Sequence, residues 1–200
     1  MKLYFTPGTC SFASHIALRE LGVPFDMERV DLRSKKTGTG DDFAAINPKG
    51  YVPTLRIDEG VLTENIAVLQ YIADLKPESR LAPAKETFER YRLQEWLGFI
   101  NSEVHKGYKP YFDPNAADSE KIRAGEKLGQ RFDYVERQLD GKSYLMGEQF
   151  TVADAYLYAV LAWVPKTTLK NLGKWPNLQR YQARISERPA VQAAQKVESA

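Results

Sequence analysis

A change of sequence pattern near residues 77–86 constrains the fold more than any other feature of the chain. This stretch, PESRLAPAKE, combines two prolines with mixed charges and few large apolar residues, which predicts a linker. Before it, short strand-like and helix-like segments alternate; after it, apolar residues recur at helical spacing almost throughout. At 200 residues the chain is long enough for two small domains with a buried core. We therefore predict an α/β domain at residues 1–80, a linker at 81–86 and an all-α domain at 87–200.

The first half begins with the pattern of a βαβ unit. Residues 2–6 read as a strand that stops at Pro7-Gly8, residues 11–21 as a helix ended by Gly22, and residues 25–32 as a second strand. The rest of this half is predicted to contain a loop at 33–42, a turn at 47–50, strands at 52–57 and 61–63, and a helix at 64–75.

The second half is predicted to be a set of helices at 87–106, 119–139 and 176–188, with another helix after Thr151. Thr151 and Asp154 have the spacing of a capping box, with aspartate in place of the usual glutamate. The longest apolar run, residues 155–164, is shorter than the roughly 20 residues that span a bilayer. We therefore expect a buried core helix there.

Composition excludes several classes of protein. Cys10 is the only cysteine, so neither an internal disulfide nor a cysteine-based zinc site can form, and two histidines make a histidine-rich metal site improbable. The net charge of +2 does not call for nucleic acid as a partner. No segment indicates export or membrane insertion, so we expect a cytoplasmic protein without membrane or nucleic-acid partners.

Cys10 follows a strand and a Pro-Gly turn and stands at the start of a predicted helix. The helix dipole there favours the thiolate and lowers a cysteine pKa, so Cys10 is a candidate reactive thiol. The alternative is a buried cysteine that packs as a small apolar residue. Ala13 occupies the position of a local resolving cysteine, so a redox partner would have to be an external thiol. Ser11 could donate a hydrogen bond to a sulfur anion, or it could simply cap the helix.

Other segments offer ligand-binding groups. Pro53 interrupts a predicted strand, and a cis Val52-Pro53 bond would free the backbone of Val52 to pair with a ligand, although trans is the commoner state. Glu64 and Asn65 open a helix whose N–H groups could hold a carboxylate, or they are ordinary helix-start residues. The basic loop around Lys35 could hold a second carboxylate, or it is simply solvated.

The helix predicted at 87–106 carries His105 on a polar side, one turn after Ser102. His105 could bind a ligand or orient a thiol, or it could be a structural hydrogen-bond donor. The aromatic and apolar residues that follow could line a substrate pocket or belong to the core: Tyr108, Tyr111, Phe112, Trp163 and Val164.

Five segments, taken in their order and spacing, are specific for one protein family, although each alone is a modest signal. They are MKLYFTPGTCSFASHIALRE, VDLRSKKTGTGDDFAAINPKGYVPTL, LTENIAVLQYIAD, RYRLQEWLGFINSEVHKGYKP and FTVADAYLY. In them the chain resembles a glutathione S-transferase of the bacterial beta class over nearly its whole length. The resemblance implies an α/β thioredoxin-like N-terminal domain, an all-α C-terminal domain and a homodimer.

The resemblance also implies roles for residues of the first half in binding glutathione. Cys10 would lie beside the glutathione sulfur, and Lys35 would reach the glycyl carboxylate. Val52, ahead of a cis Pro53, would pair with the cysteinyl part through its backbone. The γ-glutamyl end would be held by Glu64 and Asn65.

In the second half, the resemblance implies that Ser102, Glu103, Val104 and His105 reach the site, with Glu103 able to contact the site of the partner subunit. Cys10, Ser11 and His105 are then the candidate catalytic residues. The chain departs from the family pattern at Asn65, where a small residue is common, and at Gly98, which is often asparagine.

These expectations combine into one function with alternatives. We expect a glutathione S-transferase that activates glutathione for conjugation to small hydrophobic electrophiles, with thiol–disulfide exchange through Cys10 as a second activity. The alternatives are a glutathione-dependent reductase or dehalogenase with little conjugating activity, and a non-catalytic binding protein on the same fold.

Overall fold

The computed structural model describes residues 1–199, and its first half is built on a mixed β-sheet. Its elements are β1 (Lys2–Phe5), α1 (Ser11–Leu21), β2 (Asp26–Asp31), β3 (Lys36–Thr37), α2 (Phe43–Ile46), β4 (Thr54–Ile57), β5 (Gly60–Thr63) and α3 (Asn65–Asp74). Within the described residues the strands form one sheet in the order β3-β2-β1-β4-β5. Only β1 and β2 pair in parallel. The predicted thioredoxin-like domain is confirmed.

The βαβ unit at the N-terminus places β1 at the centre of this sheet. Leu3, Tyr4 and Phe5 are all buried, because the strand is covered on both faces. Helix α1 ends at Gly22, whose φ of +69° lets its N–H reach back to the last carbonyls of the helix. Before α1, the Thr9 hydroxyl donates to the Thr6 carbonyl at 2.8 Å, which holds the start of α1 close to the end of β1.

The segment predicted as a loop at 33–42 contains the short strand β3. Thr37 pairs with Val30 of β2 at the edge of the sheet. Two residues in a polar segment are too few to show an alternating pattern, so the sequence contained no signal for this strand. Helix α2 follows after residues 38–42, and the Asp42 side chain accepts a hydrogen bond from the Ala44 N–H at its start.

The second half is helical. Its elements are α4 (Phe88–Phe99), a π-helix (Ile100–His105), a 3₁₀ turn (Lys106–Tyr108), α5 (Lys109–Phe112), α6 (Asp118–Gln138), α7 (Val152–Leu161), α8 (Pro176–Ser186) and α9 (Pro189–Glu198). The predicted all-α domain is confirmed; its last residue, Ala200, lies outside the described residues.

Two predictions about these helices were wrong in detail. The helix expected over 87–106 is α-helical only to Phe99 and continues as a π-helix, which has i→i+5 hydrogen bonds. The helix expected over 176–188 ends at Ser186, and Pro189 begins the further helix α9, because a proline lacks only an N–H that the first turn of a helix leaves unused.

Helix α7 is the core helix of the second half, and every one of its residues is buried. The predicted capping box is confirmed: the Thr151 N–H and hydroxyl both donate to Asp154 Oδ2, at 2.8 and 2.9 Å. Asp154 is fully buried and also accepts a hydrogen bond from the Tyr181 hydroxyl. The box fixes the start of the helix that carries Tyr156.

Helix α1 joins the two halves, since it packs on α3 of its own half and on α7 and α9 of the other. Arg188 forms a bidentate ion pair with Glu20 at the end of α1, with distances of 2.5 and 2.8 Å. His15, in the middle of α1, bonds to Glu198 at the end of α9. Within residues 1–199, no helix has the length and apolar character needed to cross a membrane.

Candidate functional site

A cavity of about 450 Å³ lies between the β1–α1 turn, the start of α3 and the π-helix, so both halves form its wall. Six of the candidate catalytic and glutathione-binding residues lie on this wall: Cys10, Val52, Pro53, Glu64, Asn65 and His105. Five others do not belong to the wall: Ser11, Lys35, Ser102, Glu103 and Val104.

Cys10 is the N-cap residue of α1, and its sulfur donates a hydrogen bond to the carbonyl of Val52 at 3.5 Å. Burial raises the pKa of the thiol to about 12, and the negative charge of Glu64 raises it further. The expectation that the helix start favours the thiolate was therefore wrong. Loss of water around the sulfur outweighs the favourable backbone hydrogen bond.

Ser11 lies behind the wall and is fully buried. Its hydroxyl accepts a hydrogen bond from the Thr6 N–H at 3.2 Å, donates to the Thr6 carbonyl and lies 2.8 Å from the Thr9 hydroxyl. The hydroxyl is thus used to hold the β1–α1 turn and does not face the cavity. The prediction that Ser11 supports a sulfur anion fails for this geometric reason.

The Val52-Pro53 peptide bond is cis, as the resemblance implied. Both residues are buried on the cavity wall. Lys35 lies one contact behind the wall, where its ammonium donates to the Gly50 carbonyl at 2.8 Å. Lys49 is on the wall instead, a position that the sequence reasoning missed although it lies in the predicted turn at 47–50.

Glu64 and Asn65 begin α3 with opposite exposures. Glu64 has a φ of +67°, and its exposed carboxylate accepts a hydrogen bond from Lys49 at 2.8 Å. Asn65 is buried; its amide nitrogen donates to the Cys10 carbonyl at 3.2 Å, and its oxygen accepts from the Ser14 hydroxyl at 2.8 Å. Asn65 therefore ties the start of α3 to the cysteine turn, a contact that a smaller residue at this position would lack.

The π-helix decides which residues of the second half reach the cavity. Of the predicted set, His105 faces it, and Asn101 faces it as well. Ser102 donates to the Gly98 carbonyl, Glu103 pairs with Arg131, and Val104 is fully buried. The prediction assumed the period of an α-helix, and the wider π turn changes the angles between successive side chains.

Tyr156 of α7 completes this side of the cavity. Its hydroxyl donates to Asn101 Oδ1 at 3.0 Å and lies 2.7 Å from His105 Nδ1. Burial lowers the pKa of His105 to about 4, with a further contribution from the Lys106 charge, so the imidazole is neutral at pH 7. The sequence reasoning missed Tyr156, because it lies inside an apolar run that is otherwise core.

An aromatic surface closes the cavity. Phe112 and Trp163 lie on the wall with their rings edge to face, 5.2 Å between centroids. Trp163 also donates from its indole N–H to the Gly8 carbonyl at 2.9 Å, which links the second half to the β1–α1 turn. Of the other aromatic candidates, Tyr108 is fully buried and Tyr111 is not on the wall.

Metal ligands do not cluster here. Among residues 1–199, no group of three or more histidine, cysteine, aspartate or glutamate side chains is placed to hold a metal ion. The polar groups on the cavity wall are a thiol, an imidazole, hydroxyl and amide groups, and the charged side chains of Glu64, Lys49 and Lys106.

Comparison with protein families gives two matches in the order of the two halves. The model of the glutathione S-transferase N-terminal domain matches residues 9–75, and the model of the C-terminal domain matches residues 99–189.

Individual proteins match along almost the whole chain. Glutathione S-transferase GstA of Escherichia coli O157:H7 is 42% identical over 195 residues, which covers 97% of this chain and 96% of that protein. Two solved structures are similar throughout. A sphingomonad glutathione S-transferase complexed with glutathione has 44% identity, a TM-score of 0.96 and coverage of 100% and 99%. A bacterial beta-class enzyme of Sphingomonas chungbukensis has 46% identity, a TM-score of 0.95 and coverage of 99% and 98%.

Proposed function

Because the chain belongs to the bacterial beta class of the glutathione S-transferase family, it is a glutathione transferase with glutathione as co-substrate, and we propose that both substrates meet in the cavity between its two halves. The observation that carries this proposal is that the cysteine turn, the cis-proline bond and the start of α3 share one wall with His105. The thioredoxin-like half binds glutathione, and the helical half supplies the pocket for the second substrate.

The charges of the cavity suit the charges of glutathione. Glu64 offers an exposed carboxylate to the ammonium of the γ-glutamyl end, and the N–H groups at the start of α3 suit its carboxylate. The backbone of Val52 pairs with the cysteinyl part. Lys35 supplies positive charge for the glycyl carboxylate, whereas Lys49 lies at the γ-glutamyl end, where its ammonium is 2.8 Å from Glu64.

Cys10 and His105 are the groups for the glutathione sulfur. Both are neutral at pH 7, since burial raises the pKa of Cys10 to about 12 and lowers that of His105 to about 4. A neutral imidazole can accept the proton of the glutathione thiol, and a neutral Cys10 thiol can donate a hydrogen bond to the glutathione thiolate that results. Ser11, Ser102 and Val104 contribute from behind the wall by holding the turn and the helix.

The second substrate is a small hydrophobic electrophile. The aromatic rings of Phe112 and Trp163 offer it an apolar surface on the same cavity as the sulfur-binding groups. The glutathione thiolate attacks the electrophilic carbon, a C–S bond forms, and the bond to the leaving group breaks; with a chloroarene, chloride leaves with the electron pair. The alternatives of a reductase, a dehalogenase or a non-catalytic binding protein are not favoured, because the relatives above are named glutathione S-transferases.

Steady-state conjugation of glutathione to a chlorodinitrobenzene tests the proposal. Glu64→Gln removes the charge for the γ-glutamyl ammonium and is expected to raise KM for glutathione about tenfold. Glu59→Gln, in the exposed β4–β5 turn, is the matched control and is expected to change KM less than about twofold. Equal KM values for the two variants would contradict the assignment of Glu64.

Thiol–disulfide exchange is the second activity that we propose for Cys10. The Cys10 thiolate attacks one sulfur of glutathione disulfide, a mixed disulfide forms, and one glutathione thiolate leaves. Because burial disfavours the thiolate, the exchange is slow at pH 7. Mass spectrometry of the folded protein after treatment with glutathione disulfide is expected to find one adduct per chain and none in Cys10→Ala. A wild-type chain without any adduct would contradict this role.

A homodimer is supported by aromatic side chains exposed in the single chain. Tyr51, Phe88 and Tyr91 are between 62% and 70% exposed, and Phe88 and Tyr91 lie one turn apart on α4, so they are neighbours on its surface. Glu103 is engaged by Arg131 of its own chain, so a contact with the partner's site would compete with that ion pair. A dimer mass in sedimentation, lost in a Phe88→Lys/Tyr91→Lys variant, is the expected result.

The remaining expectations are a domain division at residues 81–86 and a cytoplasmic location. The division is supported by the absence of helix or strand from residues 81–86, just before α4. The location is supported by a lone free cysteine, which suits a reducing compartment.

A further inference from the structure

Tyr156 is the centre of a hydrogen-bonded group that the proposed function leaves unexplained. Its hydroxyl contacts Asn101 Oδ1 at 3.0 Å and His105 Nδ1 at 2.7 Å. Asn101 and His105 are the first and last of five consecutive residues of the π-helix, and Tyr156 comes from the facing helix α7. Three polar side chains on two helices therefore meet at one phenol oxygen in an otherwise apolar region.

The number of protons in this group determines the tautomer of the imidazole. A phenol has one hydrogen, and Tyr156 donates it to the carbonyl oxygen of Asn101. The phenol oxygen can then only accept from His105, so Nδ1 of the imidazole must carry the ring proton. In a neutral histidine the other nitrogen, Nε2, is then an unprotonated acceptor.

Nε2 is the ring atom available to a ligand. Among residues 1–199 it has no hydrogen-bond partner, and His105 lies on the cavity wall. In the described chain, two polar side-chain atoms are buried from solvent without a hydrogen-bond partner: Arg90 Nε and the Tyr108 hydroxyl. His105 Nε2 is not one of them. A lone pair on His105 is therefore exposed to the cavity that holds Cys10.

We propose that Tyr156 is a positioning residue that keeps His105 in the Nδ1–H tautomer, so that Nε2 takes the proton of the glutathione thiol. The proposal rests on the proposed function, in which glutathione binds in this cavity. The S–H bond breaks, the proton bonds to Nε2, and the electron pair stays on sulfur. After the C–S bond to the electrophile has formed, the imidazolium returns the proton to solvent.

This arrangement needs no rearrangement of the group when the proton moves. Protonation of Nε2 leaves the Nδ1–H hydrogen bond to Tyr156 and the Tyr156 bond to Asn101 in place. The thiolate formed beside the ring favours the imidazolium, because opposite charges stabilise each other at short distance. Preorganised partners of this kind lower the cost of proton transfer.

Nitrogen NMR of the imidazole rings in the ligand-free, full-length protein at neutral pH tests the tautomer directly. The chain has two histidines, so His15 is an internal reference, and its signals are expected to stay unchanged. Wild-type His105 is expected as Nδ1–H. Asn101→Leu removes the acceptor of the Tyr156 hydrogen, so the phenol donates to Nδ1 and the ring changes to Nε2–H.

The Asn101→Leu result separates a tautomer effect from a merely structural one, since Tyr156 and His105 are both retained. An Nε2–H ring in the wild type, or an unchanged ring in Asn101→Leu, overturns the proposal. If that variant does not fold, Tyr156→Phe decides, because loss of the phenol oxygen is expected to populate Nε2–H.

Kinetics provide the second measurement. Tyr156→Phe is expected to lower kcat about tenfold while KM for glutathione changes less than about threefold. Tyr158→Phe, the same substitution two residues along α7 and away from this cavity, is the matched control with unchanged kcat. A Tyr156→Phe enzyme with full kcat overturns the proposal. An inactive wild-type protein whose His105 is Nδ1–H would contradict the proposed function and leave the tautomer assignment standing.

Discussion

The two histidines of the chain lie in regions that use the same ring differently. His15 is in the middle of α1 and fully buried; its Nδ1 bonds to Glu198 at 3.0 Å, and its Nε2 accepts from Arg19 at 2.7 Å. His105 has a protein partner on Nδ1, and its Nε2 faces the cavity. Both rings therefore carry their proton on Nδ1, but both nitrogens of His15 already have a hydrogen-bond partner in the protein.

The comparison shows that the partner of Nε2 distinguishes a structural histidine from a histidine that can act on a ligand. His15 joins the N-terminal half to the last helix, so its bonds contribute to the stability of the contact between α1 and α9. His105 uses one bond to fix its orientation and keeps the other for a ligand. Changes at the two positions should therefore separate stability from activity.

His15→Ala is expected to have the largest effect, a loss of about 3 kcal/mol in the free energy of unfolding. The substitution opens a cavity in α1 and leaves the Glu198 carboxylate, which is 7% exposed, without its donor. Urea unfolding measures the loss. Glu198→Gln keeps an oxygen acceptor for Nδ1 and is expected to lose less than half as much. A His15→Ala protein of nearly wild-type stability would contradict the structural role assigned to His15.

His105→Phe is expected to lower kcat/KM about 30-fold, because a phenyl ring has no acceptor for the glutathione proton. The ring can still pack on Trp163, whose centroid lies 5.0 Å from that of His105, so the free energy of unfolding should change by less than about 1 kcal/mol. Steady-state kinetics and urea unfolding of one preparation measure both. A large loss of stability with little loss of activity would reverse the roles of the two histidines.

Acidification is expected to destabilise the wild type more than His105→Phe between about pH 6.5 and pH 4. The pKa of His105 is about 4 in the folded protein and near 6.5 when unfolded, so the unfolded state binds more protons in this window. The stability from this group is thus fully present above pH 6.5 and is lost as the pH falls. Both proteins keep His15, so the difference between their urea midpoints isolates His105. If the urea midpoints of the two proteins changed in parallel with pH, the lowered pKa of His105 would be contradicted.

Gly98→Ala should have the smallest effect, a gain of roughly 0.5 to 1 kcal/mol in the free energy of unfolding, because alanine favours a helix interior over glycine. A Cβ at Gly98 meets nothing within 4 Å, and the residue lies on α4 before the π-helix, outside both histidine networks. Thermal unfolding with unchanged kcat is the expected outcome. A change in kcat would show that the two networks extend further along α4 than the hydrogen bonds indicate.

Local signals explain which parts of the fold could be predicted. The bounds of α1 agree with the prediction, because a Pro-Gly turn and Gly22 mark its ends. The capping box was readable from Thr151 and Asp154 for the same reason. Strand β3 and the change to a π-helix after Phe99 have no local signal, since both depend on what the segment packs against.

The candidate site divides in the same way. Cys10, the Val52-Pro53 bond and Glu64 lie at turns or helix starts and could be found from the sequence. Tyr156 could not, because its hydroxyl bonds to His105 and Asn101 while its neighbours along α7 are core. Nor could Asn101 be preferred over Ser102, since only the π-helical geometry separates them.

The hydrogen bond from Trp163 to the Gly8 carbonyl has an evolutionary consequence. The indole lies on the wall of the cavity in which we propose that the electrophile binds, and its N–H donates to the turn that carries Cys10. A lineage that replaced Trp163 to admit a bulkier electrophile would at the same time loosen the cysteine turn. Substitution of Phe112 is therefore the easier route to new substrates, because Phe112 is 49% exposed and makes no hydrogen bond to the cysteine turn.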